Sequence, residues 1–345
     1  MLYVTTRDSQ DAFTAIRTLS ENRCPEGGFF VPMRLPYYDA AMITSLAENS
    51  FSRNAADTLN LLFGTRLDGW AVEFAIGRYP VKLVSLNGKI TVAETWHNPL
   101  WRFERLASGM EKAVRQSDRI SRTPSNWLMI ASRVAVLFGL FGQFLESGMV
   151  TGEKKMDIAV PSRDLSALMA VWYARKMGLP IGTIVCCCNE NDSLWNLFNK
   201  GELRTDLPAA RTCTPDCDCT VPTNLEHLIF ETLGRQETKR FCEICRTGGI
   251  YCLEPEQVQR LGDGINVRVV SGRRLVCAIP NLYAATGFVA DPYTALAYCG
   301  LIDYRAGIGE SRCALILAEE SPTVTPEFIA ACMNITPAEL KLLLD

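Results

Sequence analysis

The stretch from Met156 to Cys188 constrains this chain more than any other. Met156–Pro161 is an apolar run of strand length. A polar turn, Ser162-Arg163-Asp164, leads into Leu165–Met177, which reads as a helix, and Gly178-Leu179-Pro180 stops it. Ile181–Cys188 is a second apolar strand run. Strand, helix and strand with such short joins form a βαβ unit, two parallel strands joined by a right-handed crossover. Parallel sheets are covered by helices on both faces. The predicted class is therefore α/β, an open parallel-rich sheet flanked by helices.

The flanking sequence extends this pattern. Before it come two helical stretches, 9–22 and 39–64, around the Gly/Pro turn at 24–32. Asn87-Gly88 marks a hairpin between two strands. Residues 107–124 are polar and irregular and read as a join. Ser125 is placed to cap a long apolar helix that follows. After the βαβ unit, helices are expected at Asp192–Asn199, 224–234 and 236–246. The runs NVRVV and RLVCAI read as strands, followed by a helix from Pro292, a strand at 313–319 and two short closing helices. No internal repeat or low-complexity tract is seen.

Composition removes several function classes. The chain has 345 residues, 48% of them hydrophobic, and a net charge of −3, so nucleic-acid binding and electrostatic membrane binding are not expected. In the most apolar stretch, 126–148, Arg133 and Glu146 leave too short a clean run for the ~20 residues that span a bilayer. It reads as a buried core helix. The N-terminus lacks a basic start and an apolar run, so no signal peptide is read and a cytoplasmic location is expected. The two histidines, His97 and His227, are too few for a multi-histidine metal centre. The fourteen cysteines include a single CxxC, Cys242-x2-Cys245, inside a helical stretch. Zinc needs about four converging thiolates from short turns, so the cysteines read as small hydrophobes and no metal is expected.

In an open α/β sheet, ligands sit beyond the carboxyl ends of strands. Ser162-Arg163-Asp164 occupies such a place and opens a helix. A phosphate cradle there needs close backbone approach and hence glycine, and this turn has none. Asp164 at a helix start reads first as a cap.

Several motifs resemble one family. Tyr3-x-x-Thr6-Arg7, Pro-Glu-Gly-Gly-Phe-Phe-Val-Pro at 25–32 and Ser125-Asn126-Trp127 are similar to threonine synthases. Val160-Pro161-Ser162, the 173–180 stretch, Asn189-Glu190-Asn191-Asp192, Thr223-Asn224-Leu225-Glu226 and Asp291-Pro292-Tyr293 continue the resemblance in order. It implies the fold of the large domain of fold-type II pyridoxal-phosphate enzymes. The family makes threonine from O-phosphohomoserine as a carbon–oxygen lyase acting on phosphate esters. Its cofactor, pyridoxal phosphate, is held on a lysine.

Carried over residue by residue, the resemblance points to losses. The lysine motif matches His97-Asn98-Pro99-Leu100-Trp101-Arg102-Phe103-Glu104, which puts Glu104 at the lysine position. A carboxylate forms no imine, and Lys112 is the nearest of the nine lysines. The family's phosphate cradle matches Arg163-Asp164-Leu165-Ser166-Ala167, without its glycines, and Glu319 falls near the place of the pyridine-nitrogen partner, just before Ser321-Pro322. The join at 107–124 stands where the family has a small mobile domain. The expected organisation is thus an N-terminal part, 1–106, the join, and a large α/β domain, 125–345.

The expectation is a shortened family member without cofactor and without the family's turnover. Its remnant cleft would be lined by His97, Asn98, Glu104, Ser162, Arg163, Asp164, Asn189, Asp192, Glu319 and Ser321. A small metabolite, an amino acid or a phosphorylated amino acid, is the expected ligand, and a homodimer the expected assembly. Two alternatives stand beside it: altered pyridoxal-phosphate-dependent lyase activity, or acid–base chemistry by Glu104, Asp164 and Glu319 with His97.

Overall fold

In the computed structural model, residues 1–7, 11–76, 81–97, 125–309 and 312–344 are described. The join at 107–124, with Asn98, Glu104 and Lys112, lies outside them.

Near the N-terminus, β1 (Leu2–Thr5) pairs antiparallel with β2 (Phe13–Thr14) and β3 (Phe30–Pro32). The long helix expected over 9–22 is shorter here: Phe13 and Thr14 join the sheet, and α1 is confined to Ala15–Ser20. Three helices follow, α2 (Ala40–Ser45), α3 (Phe51–Phe63) and α4 (Gly69–Ile76). The Asn87-Gly88 hairpin forms as read, joining β4 (Lys82–Leu86) to β5 (Ile90–Glu94) through 87–89. Helix α5 (Asn126–Glu146) comes next, capped by the Ser125 hydroxyl, which accepts from the Leu128 N–H at 3.1 Å.

The βαβ unit is present as β6 (Met156–Pro161), α6 (Ser166–Lys176) and β7 (Ile181–Cys188), with the strands parallel. Beyond it lie α7 (Ser193–Lys200), β8 (Glu202–Arg204), α8 (Leu225–Leu233), α9 (Arg235–Thr247), β9 (Ile250–Cys252), α10 (Pro255–Leu261) and β10 (Ile265–Val269). The chain closes with α11 (Gly272–Thr286), α12 (Pro292–Ile308), β11 (Ala314–Ala318), α13 (Pro326–Met333) and α14 (Pro337–Leu344). The RLVCAI strand is corrected: those residues are in α11. Its buried positions, Leu275, Ile279 and Leu282, are four and three apart, the helical period. Ser271 caps its start, and Pro280 sits inside the helix without ending it.

The central sheet has the order β10-β7-β6-β11-β5-β4, parallel except for the β4–β5 edge hairpin. Side chains alternate between its faces, as the strand period of two requires. Ile158, Val160, Ile184, Cys186, Cys188, Leu315 and Leu317 join the core under α5 and α6. Ala159, Val185, Cys187, Ala314 and Ile316 join the core under α11 and α12. The cysteine run is thus a strand buried on both sides. Gly300 of α12 lets that helix lie on the sheet, since a Cβ there would come within 2.3 Å of the Cys187 sulfur.

Helix α5 is long and apolar enough to cross a membrane, yet 83% of its apolar window is buried inside the protein. It packs on α3, and Gly139 makes room for the Phe51 ring, which a Cβ would meet at 2.5 Å.

His227 of α8 is also deep in this core. It is stacked 4.7 Å from Phe29 with Nε2 3.3 Å from the Phe30 carbonyl. Burial, partly offset by that carbonyl, pushes its pKa down to about 4 from 6.5. Its folded pKa is depressed, so the unfolded chain takes up the proton first as pH falls below 6.5. Lowering pH from 7.5 to 5 should cost about 2 kcal/mol at this residue. Urea unfolding of the protein and of His227→Phe at both pH values checks this. An equal acid loss in both proteins sinks it.

Candidate ligand cup at the strand ends

Strands β6 and β11 are neighbours in the sheet, so their carboxyl ends bring 162–166 and 319–320 side by side. Helix α5 adds a third wall with Met129 and Arg133. Together with Asp216 these residues enclose a cavity of about 460 Å³.

The turn after β6 holds a left-handed backbone without glycine, with φ of 36° at Arg163 and 63° at Leu165. Such angles cost roughly 1–2 kcal/mol per L-residue, so the surroundings must impose them. Several hydrogen bonds do. Ser162 N–H donates to the Cys187 carbonyl at 2.9 Å, and Leu165 N–H to the Ser162 carbonyl at 2.8 Å. Asn224 donates both its backbone and side-chain N–H to the Asp164 carbonyl at 2.9 Å. The Asp164 carboxylate accepts from the Ser166 N–H at 2.9 Å and hydroxyl at 2.6 Å. Asp164 is not the N-cap expected from the sequence; that place is held by Leu165, and from one residue earlier the Asp164 carboxylate meets the first N–H of α6.

Two ion-pair groups cross the cup. Arg133 is bidentate to Glu319, with Nε–Oε1 at 2.5 Å and Nη2–Oε2 at 2.9 Å. Both side chains are nearly buried, 10% and 13% exposed. Burial pushes the Glu319 pKa up, but the charge and hydrogen bonds of Arg133 outweigh it, and the carboxyl is held below its ordinary range. Arg163 pairs with Asp216 and with Glu320 at 3.3 Å, and its guanidinium lies 4.3 Å over the Tyr293 ring. Burial works against its charge, yet these carboxylates raise its pKa further. Asp216 N–H donates to the Tyr293 hydroxyl at 3.2 Å, tying the two sides of the cup together.

Of the residues expected in a cleft, Ser162, Arg163, Asp164 and Glu319 line this cup. Ser321 does not; its hydroxyl caps the short turn Pro322–Val324. Asn189 is elsewhere, at the hub of a polar network. Its side-chain N–H groups donate to Thr212, Thr214 and Asp218 at 2.7–3.0 Å, pinning the 205–222 loop. Asp192 lines a separate cavity of about 410 Å³ at the start of α7. His97 ends a short turn after β5. Its side chain, and all of Asn98 and Glu104, lie outside the described residues.

Arg133, Asp216 and Glu320 were missed as cup residues, as was Tyr293 as the ring beneath Arg163. Arg133 carried a signal, a lone guanidinium in an apolar helix that must find a partner. Asp216 sits in a cysteine-rich loop and carried none. Other motif residues hold the fold instead. Trp127 Nε1 donates to the Tyr3 hydroxyl at 3.1 Å, which donates to the Leu62 carbonyl. Glu226, 5% exposed, accepts from the Thr6 hydroxyl at 2.5 Å and from Arg7 at 2.9 and 3.0 Å.

No family model matches the chain. Threonine synthase-like 1 of Homo sapiens is 25% identical over 177 residues, 50% of this chain and 24% of that protein. Threonine synthase of Corynebacterium glutamicum is 26% identical over 199 residues, 55% of this chain and 40% of that enzyme. The solved structure of pyridoxal-phosphate-bound threonine synthase from Brucella melitensis matches with a TM-score of 0.82 at 18% identity, covering 100% of this chain and 94% of that one. The yeast threonine synthase structure matches with a TM-score of 0.79 at 17% identity, covering 99% and 94%. The chain is thus similar to threonine synthases in sequence over about half its length and shares their fold.

The aligned part spans about a quarter to two-fifths of the length of these curated relatives of the threonine synthase-like chain. The structural matches, at their low identity, speak for the fold. The expectation of a member with no cofactor is corrected: the Brucella melitensis threonine synthase has pyridoxal phosphate bound, and pyridoxal phosphate is the cofactor of the family. In this chain the turn has no glycine, and the two guanidiniums lining the cup, Arg133 and Arg163, are paired with Glu319 and with Asp216 and Glu320. Among the described residues that line it there is no lysine to hold the cofactor covalently.

Proposed function

We propose that this threonine synthase-like chain binds a small zwitterionic metabolite, an amino acid or phosphorylated amino acid, and does not run the family's lyase reaction. The observation that supports this most is the network inside the cup. Arg163 can turn from Asp216 or Glu320 to a ligand phosphate or carboxylate, which guanidinium geometry favours. The carboxylate it releases then faces the ligand's ammonium group. Arg133 and Glu319 stay closed on one another and keep the floor rigid. Glu104, at the family's lysine position in the sequence, supports the loss of turnover.

The test combines binding and turnover. O-phosphohomoserine at a hundredfold excess over its Kd should add about 2.7 kcal/mol, a rise in Tm of about 4 °C for a chain of this size. Arg163→Gln should remove that rise. With pyridoxal phosphate added, no phosphate release above background is expected. Phosphate release together with a borohydride-fixed adduct on one lysine overturns the reading in favour of a working lyase. Absence of any Tm rise overturns the ligand class.

A further inference from the structure

Tyr293 lies beneath the cup, at the start of α12, and is buried. The Asp291 carboxylate caps that helix, accepting from the Tyr293 N–H at 2.8 Å and the Thr294 N–H at 3.1 Å. The Tyr293 backbone is thereby fixed. From this place the side chain makes two contacts with one ion pair of the cup. Its ring carries the Arg163 guanidinium 4.3 Å above its centre. Its hydroxyl accepts from the Asp216 N–H at 3.2 Å. Arg163 and Asp216 come from separate segments, the turn after β6 and the 205–222 loop, and they pair with each other. Arg163 meets Asp216 and Glu320 through the same nitrogen, Nη2. The Asp216 side chain is 50% exposed and that of Glu320 24%, so Asp216 is the partner that water takes over at the lower cost.

We propose that Tyr293 is the positioning residue of the cup's ligand site, with separate tasks for its ring and its hydroxyl. This rests on the reading that Arg163 exchanges a carboxylate for the anionic group of the ligand. A cation over an aromatic face is held by the ring's quadrupole. That attraction depends on where the charge sits over the ring and little on how the guanidinium is turned. Arg163 can therefore swing from Asp216 to a ligand without leaving the ring. Asp216, once released, is kept in place by the hydroxyl that accepts from its N–H. Its carboxylate then stays within reach of the ligand's ammonium group. The ring thus sets affinity for the anionic end of the ligand. The hydroxyl sets the preference for a ligand that carries an ammonium group as well.

The probes are O-phosphohomoserine and 4-phosphooxybutanoate, the same molecule without its ammonium group. Both are titrated calorimetrically into the full chain and its variants. Tyr293→Phe keeps the ring and loses the hydroxyl. It should bind O-phosphohomoserine about fivefold more weakly, the size of one neutral hydrogen bond, and 4-phosphooxybutanoate as the parent does. Tyr293→Leu loses the ring too, and both ligands should weaken by about fivefold or more. A merely structural role for Tyr293 would not tell the two ligands apart. Equal losses for both ligands in Tyr293→Phe, or none for either, overturn the proposal. So does undiminished binding in a folded Tyr293→Leu. Arg163→Gln separates this failure from that of the ligand reading. Where the parent binds O-phosphohomoserine and Arg163→Gln does not, the ligand site stands and the Tyr293 variants alone decide the positioning role. Lack of binding by the parent, or full binding by Arg163→Gln, overturns the ligand reading and the positioning role with it.

Discussion

Glu319→Gln is expected to destabilise the native state by about 3–5 kcal/mol, the range for breaking a buried ion pair by removing one charge. The change removes the bidentate carboxylate from the Arg133 guanidinium inside α5, which also donates to the Met129 carbonyl at 3.2 Å. The pair itself is not the source of that figure. Desolvating both ions consumes most of their attraction, so a double change to apolar residues, Arg133→Met with Glu319→Leu, should recover most of the loss. The pair also sets a pH dependence. The folded pKa of Glu319 is lowered, so its contribution is present above the unfolded value of 4.5 and is lost as pH falls below it. Urea midpoints of the single and double variants decide the matter. A loss under 1 kcal/mol in Glu319→Gln, or no recovery in the double variant, contradicts this account.

Trp127→Ala should be comparably damaging, about 3–5 kcal/mol. Trp127 is 1% exposed and packs edge-on against Tyr3 at 5.6 Å and Tyr173 at 5.3 Å. Removing the ring opens a cavity where α5, β1 and α6 meet. It also leaves the Tyr3 hydroxyl without its donor, in a place where burial drives that phenol's pKa well up. Trp127→Phe keeps most of the volume and loses only the N–H, so its cost should be about 1–2 kcal/mol. Equal losses in the two variants would mean that the hydrogen bond, and not the packing, sets the stability there.

Much of the fold was legible because its signals are local. The β6–α6–β7 unit, the Ser125 cap and the 87–88 hairpin each rest on residues close in sequence. The misreading of α11 shows the limit: Leu275, Val276, Cys277, Ala278 and Ile279 form an unbroken apolar run, which suits a buried strand as well as a helix. Ser162, Arg163, Asp164 and Glu319 were placed in the cup because strand ends gather ligand-facing residues and the resemblance supplied the register. Their partners were not legible. Arg133 meets Glu319 across 186 positions and Arg163 meets Asp216 across 53, distances at which no periodic pattern links two charges. Asn189 and Asp192 were assigned to the cleft by resemblance alone. The structure gives Asn189 the task of holding a loop.

The place of β11 has a consequence for how the chain is made. It lies between β5 and β6, although residues 95–155 separate those two strands in sequence and β11 is not synthesised until residue 318. At about 5–20 residues per second, the β4–β5 hairpin waits roughly ten to forty-five seconds on the ribosome for its parallel partner. Through that interval β5 presents an unpaired edge bearing Ile90 and Val92, a template for pairing with another nascent chain. The centre of the sheet therefore closes last, and any truncation before Ala314 leaves two sheet fragments that cannot join. High expression and slow release are then the conditions under which this protein should depend most on chaperones.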